Sequence, residues 1–104
     1  MDPQMKRGFL EVCVLAVLNR GDSYGYQIVK DAPESLGLTE STLYPLLKRL
    51  ENAGALTTYS AEHNGRQRRY YRITPQGTAR IEEFIAEWSD IESLYEYVKR
   101  GAGR

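Results

Sequence analysis

The chain contains one cysteine, Cys13, and one histidine, His63, among 104 residues. An internal disulfide is therefore impossible, and a Cys/His metal cluster cannot be assembled within one chain, so no metal is expected. Cys13 lies in the apolar run VCVLAVL, where it reads as a small buried hydrophobe of a reducing compartment. Long hydrophobic runs are also missing. The apolar stretch from Phe9 to Leu18 is broken by Glu11 and falls well short of the roughly 18 residues that a membrane span needs. No signal peptide is expected, and the location expected is cytoplasmic. His63 has no fixed carboxylate or nucleophile near it in sequence, and no glycine-rich loop is built to cradle phosphate. An enzyme is therefore not expected, and neither is a cofactor.

Net charge is absent too, since 14 basic residues balance 14 acidic ones. The balance conceals a segregation. From His63 to Arg80 there are five arginines and no acid, whereas from Ile81 to Val98 there are six acids and no base. The densest positive stretch is GRQRRYYR at 65–72. Opposite fields on neighbouring segments point to an anionic partner met at one place only.

A hydrophobic content of 41% with 27% charged residues belongs to a folded chain of one-domain length. A domain this small buries only about 60–70% of its unfolded surface, so a long apolar element left over from the core is expected to pack on a second subunit. Apolar density predicts a first helix from about Met5 to Arg20, hydrophobic on most sides and stopped at Gly21. Ser23 is the expected N-cap of a short second helix, Tyr24 to about Ala32, ended by Pro33. Leu43, Leu46, Leu47 and Leu50 form the one-sided stripe of a third helix. Thr39 or Ser41 caps it, Pro45 should fall in its first turn so that the helix begins near Thr42 or Leu43, and Gly54 closes it. Two strands, Leu56–Ala61 and Arg69–Thr74, flank EHNGRQR, whose Asn64-Gly65 pair signals a hairpin. Thr74-Pro75 then opens a last helix to about Arg100. Its residues Ile81, Phe84, Trp88, Ile91, Tyr95 and Val98 follow the spacing of a coiled-coil seam, widened by Ile85 and Leu94.

Helix, helix, helix, hairpin and long helix, with a basic hairpin tip, describe a mainly α fold with a small β-hairpin. This is a winged helix-turn-helix over residues 1–74, followed by a dimerisation helix over residues 75–104. The segments SYGYQI (23–28), STLYPLLKRLENAGAL (41–56) and GRQRRYYRIT (65–74) resemble the signature of the PadR family of bacterial transcriptional regulators. Length favours the small subgroup in which the C-terminal arm is one helix. The connection KDAPESLGLT departs from many relatives in being short and in holding Pro33. The resemblance implies a dimeric repressor on double-stranded DNA. In a multidrug-binding member of the subgroup, a tryptophan from each subunit walls a flat pocket at the dimer interface. Trp88 stands at the matching place, with Met5, Phe9, Val12, Phe84, Ile91, Glu92 and Tyr95 around it. A planar apolar effector is implied there; the alternative is that Trp88 is simply a core residue of the seam.

In a helix-turn-helix the start of the recognition helix enters the major groove. Here that start carries Glu40, Ser41, Thr42 and Tyr44, with Lys48 and Arg49 one turn later for the flanking backbone, and Tyr24 joins them by resemblance. No arginine stands early in this helix to read guanine, so shape readout is expected to take a share. Gly65 permits the hairpin turn, and Arg66 and Arg68, on one strand face, are the expected phosphate or minor-groove contacts, with Arg69 on the other face. Tyr70 and Tyr71 are expected to pack. Two other arrangements remain open: a solvated wing held by salt bridges to the acidic helix, and a winged-helix adaptor that binds protein rather than DNA.

Overall fold

A computed structural model describes residues 1–104. The apolar N-terminal stretch forms α1 (Pro3–Asn19), where Asp2 accepts a hydrogen bond from the Met5 N–H and the proline supplies a preformed first turn. After α2 (Gly25–Asp31) and a single 3₁₀ turn at Glu34–Leu36 come α3 (Glu40–Asn52), the strands β1 (Leu56–His63) and β2 (Arg66–Ile73), and α4 (Pro75–Gly101). Leu10, Val14, Leu15 and Leu18 of α1 meet Ile28 of α2, the four leucines of α3, and Leu56 and Tyr71 of the hairpin in one buried core. Ala32 leaves α2 in extended conformation ahead of Pro33, as steric restriction before proline requires.

Two expected helix starts are corrected. Ser23 caps nothing; its backbone pairs with Tyr71 (Ser23 N–H to Tyr71 O, 3.2 Å; Tyr71 N–H to Ser23 O, 2.8 Å), and Tyr24 stands at the N-cap of α2. The competing attraction is a sheet-like bridge that no local pattern announces. Likewise α3 begins at Glu40, ahead of Thr42, and Pro45 lies a turn and a half inside it. Thr39 holds that early start, since its Oγ1 accepts from the Thr42 N–H at 3.3 Å and bonds the Ser41 and Thr42 hydroxyls. The N–H that Pro45 lacks would have served Ser41, an exposed residue whose carbonyl water can reach. At the other end Gly54 (φ +79°) gives a Schellman closure, with Ala55 N–H to Leu50 O at 2.9 Å and Gly54 N–H to Glu51 O at 3.0 Å.

Asn64 (φ +53°) and Gly65 (φ +78°) form the two-residue turn with both φ positive that matches strand twist. Such a turn keeps the ladder paired up to His63 and Arg66, so β1 runs two residues beyond Ala61 and β2 starts three before Arg69. Arg66 and Arg68 therefore sit on a paired strand and not on a loose tip.

Thr74 roots α4: its Oγ1 accepts from the Gly77 N–H (3.2 Å) and donates to Gly54 O (2.6 Å), while its own N–H reaches Ala55 O (3.1 Å). A Cβ at Gly77 would strike the Ala55 carbonyl oxygen and the Ile73 side chain, neither of which is free to retreat. Gly77→Ala is thus expected to lower stability by about 1–3 kcal/mol, despite the gain in helix propensity. At Gly8 of α1, where nothing approaches a Cβ, the same change is expected to stabilise by about 0.5–1 kcal/mol. Thermal melts of the two variants, moving in opposite directions, check both.

Beyond this root α4 leaves the core behind. Ile85, Leu94, Tyr95, Tyr97 and Val98 are each 60–71% exposed in the single chain. The molecule measures 60 × 26 × 21 Å, and the 27 residues of α4 account for about 40 Å of that length at 1.5 Å per residue.

Candidate nucleic-acid interface

The leucine stripe of α3 turns inward, so Glu40, Ser41, Thr42, Tyr44, Lys48 and Arg49 are left exposed along the opposite side. Tyr44 leans back against α2. Its hydroxyl occupies the space that a Cβ at Gly25 would need, which explains the glycine in SYGY as a close-approach residue. A groove of about 520 Å³ separates this surface from the hairpin, lined by Tyr24, Tyr26, Glu40, Tyr44, Arg68 and Arg69 among others.

Arg66, Arg68 and Arg69 belong to none of the five ion pairs in the molecule, and none of those pairs joins the hairpin to the acidic stretch of α4. The alternative of a wing held down by α4 carboxylates is therefore not the arrangement adopted. Arg69 Nη2 donates to Thr58 Oγ1 at 3.2 Å on its side of the sheet. On the other side, the Arg68 guanidinium lies 3.9 Å from the centre of the Tyr24 ring. Tyr24 meets Tyr70 edge-on (5.9 Å), Tyr70 stacks on its cross-strand partner Tyr59 (5.5 Å, 16°), and Arg72 covers Tyr59 at 4.9 Å. Asp22 closes the row: its Oδ2 accepts from the Tyr59 hydroxyl (2.7 Å) and from Arg72 Nε (3.0 Å). Those two donors hold the Asp22 carboxyl below its usual range, and the same bond raises the Tyr59 phenol. Tyr71, on the core side, is raised by burial, as is the Cys13 thiol.

Arg49, expected at the flanking backbone, is tied to α1 through one edge of its guanidinium. Its Nε donates to Glu11 Oε1 at 2.9 Å, while Arg80 Nη2 donates to Glu11 Oε2 at 2.7 Å, so one carboxylate of α1 joins α3 and α4. In the sequence Glu11 reads only as a break in an apolar run, because partners 38 and 69 residues away leave no spacing signal. Glu11→Gln removes the charge from both bonds and is expected to cost about 1–2 kcal/mol, read as a lower urea midpoint at unchanged m-value. The Asp22–Tyr59–Tyr70 row leaves no spacing signal for the same reason.

Of the residues expected around an effector, Phe9, Phe84 and Trp88 are brought together: Phe9 lies 5.0 Å from Trp88 and 5.3 Å edge-on to Phe84, and Phe84 is 5.9 Å from Trp88. Val12, three residues after Phe9 in α1, is half-buried, whereas Met5, Ile91, Glu92 and Tyr95 are exposed. No helix is long and apolar enough to cross a membrane.

Comparison with known proteins bears on this geometry. An uncharacterised protein of Lysinibacillus sphaericus, protein X, is 31% identical over 100 residues, spanning 91% of this chain and 92% of its own. A PadR family transcription regulator from Clostridium difficile R20291 superposes with a TM-score of 0.78 at 29% identity, covering 86% of this chain and 97% of that one. Bacillus subtilis PadR, crystallised in complex with operator DNA, superposes with a TM-score of 0.67 at 26% identity, over 74% of this chain and 46% of its own. Residues 14–83 match the family described as the transcriptional regulator PadR-like family, a family of regulators and not of enzymes. With that match running from mid α1 through the hairpin to the root of α4, the chain belongs to the PadR-like family of transcriptional regulators.

Proposed function

We propose that the chain is a DNA-binding repressor that works as a homodimer on a pseudo-palindromic operator. Residues 1–74 bind DNA and residues 75–104 pair the subunits. The observation that carries this reading is the set of three hairpin arginines without acidic partners, two of which, Arg68 and Arg69, line a groove beside the exposed start of α3. The solved complex of Bacillus subtilis PadR with operator DNA lends it support from a relative. Glu40, Ser41, Thr42 and Tyr44 enter the major groove, Lys48 takes a flanking phosphate, and Tyr24 stands behind Arg68 and serves the interface through it. Arg49 holds α3 to α1. Gly65 permits the hairpin turn, and Arg66 and Arg68 attach the hairpin to phosphate or a narrow minor groove.

Pairing through the exposed α4 stripe sets two recognition helices about 34 Å apart, the repeat of successive major-groove faces. A dimer so placed on a promoter excludes polymerase without further activity. The Phe9–Phe84–Trp88 cluster at the base of the stripe supports an effector reading: a planar apolar molecule stacks between paired Trp88 rings and favours one arm geometry over another. A mobility shift on the DNA upstream of the chain's own gene, followed by sequencing of fragments selected from a random pool, tests the main reading. Failure to retain any duplex would leave the protein-adaptor alternative. Quenching of Trp88 fluorescence by a planar cationic dye tests the effector.

A further inference from the structure

Three consecutive residues between α1 and α2 grip the hairpin, each in a different way. Asp22 accepts from Tyr59 and Arg72, Ser23 pairs with Tyr71 through two backbone bonds, and Tyr24 offers its ring to Tyr70 and Arg68. Three rings stand in a row along the outer face with a guanidinium at each end, in the order Arg72, Tyr59, Tyr70, Tyr24, Arg68. Arg68 is half-buried although no acid pairs with it. The support that the fold gives it is the Tyr24 ring, whose centre lies 3.9 Å from the guanidinium carbon. A stacked guanidinium engages through its face, and its N–H donors, which lie in its plane, stay free for oxygen acceptors. An arginine without such a support must give up rotamer freedom on binding, which weakens the contact.

We propose, resting on the DNA-binding reading above, that Tyr24 is a positioning residue. Its ring, braced by Tyr70 and by the adjacent Ser23–Tyr71 bridge, presents Arg68 at the groove already oriented for a DNA phosphate. Tyr24 thus acts through its aromatic face and only by way of Arg68; its hydroxyl is dispensable.

The test measures fluorescence anisotropy of the full chain on a labelled duplex that the wild-type protein recovers from a random-sequence pool. Tyr24→Phe is expected to bind within about 2-fold of wild type and Tyr24→Leu about 5- to 10-fold more weakly. In an Arg68→Ala background, Tyr24→Leu is expected to add nothing. Effects of Tyr24→Leu and Arg68→Ala that multiply, or a Tyr24→Phe variant as weak as Tyr24→Leu, overturn the proposal. Far-UV circular dichroism checks folding; should Tyr24→Leu not fold, Tyr70→Leu is set against Arg68→Ala in the same cycle with the same expectation. If the wild type retains no duplex, the DNA reading falls by itself. The positioning claim is then decided in the free protein by ring-current displacement of the Arg68 side-chain proton resonances. That displacement should be present in wild type and Tyr24→Phe and lost in Tyr24→Leu; its absence from wild type overturns the claim.

Discussion

Chains carrying Ile91→Glu together with Tyr95→Glu are expected to sediment as folded monomers and to hold duplex DNA about 10²–10⁴-fold more weakly than wild type. Both side chains lie outside the buried core and are exposed in the single chain, 39% and 60% respectively, so their loss does not unmake the domain. In a paired seam each new glutamate would have to be buried without a cation, close to the six acids already present between Ile81 and Val98. Repulsion and desolvation act twice, once for each subunit, and association fails. DNA affinity follows, because the second half-site is then no longer bound from an effective concentration in the millimolar range. Sedimentation velocity, circular dichroism and anisotropy on the same samples separate dissociation from unfolding. A variant that stays dimeric, or a wild type that is monomeric at micromolar concentration, removes the arm from its assigned role.

Arg66→Ala combined with Arg68→Ala should weaken DNA binding about 10²–10³-fold, at roughly 1 kcal/mol for each of the four arginines in a dimer. The loss should appear on every duplex sequence, and equally on all of them where the contact is to phosphate, which carries no base information. The salt dependence offers a sharper readout. Each neutralised phosphate contributes about −0.9 to the slope of log K against log salt, so the slope should flatten by up to about 3.6 units. Fold stability should hold, because Arg66 is exposed and neither arginine belongs to the buried core or to an ion pair. A salt titration that returns the wild-type slope would remove the hairpin from the interface.

Much of this site is legible in the sequence. The Asn64-Gly65 pair is a local signal, read from two residues whose backbone needs are severe, and it announced the turn. Thr74-Pro75 announced the start of α4 in the same way, and Gly54 the end of α3. The leucine stripe of α3 told which side faces inward and so which residues, from Glu40 to Lys48, are left outside. What escaped was every feature made by two distant segments meeting. Ser23 has the side chain of a helix cap and spends its backbone on Tyr71 instead. Arg49 has the position of a phosphate contact and turns to Glu11, which Arg80 shares. Pro45 reads as a first-turn residue until the hydroxyls of Thr39, Ser41 and Thr42 are seen holding the helix open at an earlier start.

Composition, spacing and turn chemistry by themselves determined the helices and the hairpin of this protein, the apolar stripe left over along α4, and the arginines concentrated on one strand. These are properties of residues within a few positions of one another, and local sterics and periodicity suffice to set them. The tertiary structure alone decided which arginines are taken up and which remain available. A guanidinium's partner is whatever carboxylate or ring the fold carries to within about 4 Å. It therefore took the packing of α1 against α3 and α4 to occupy Arg49 and Arg80, and the seating of residues 22–24 on the hairpin to leave Arg68 stacked and free at its edge.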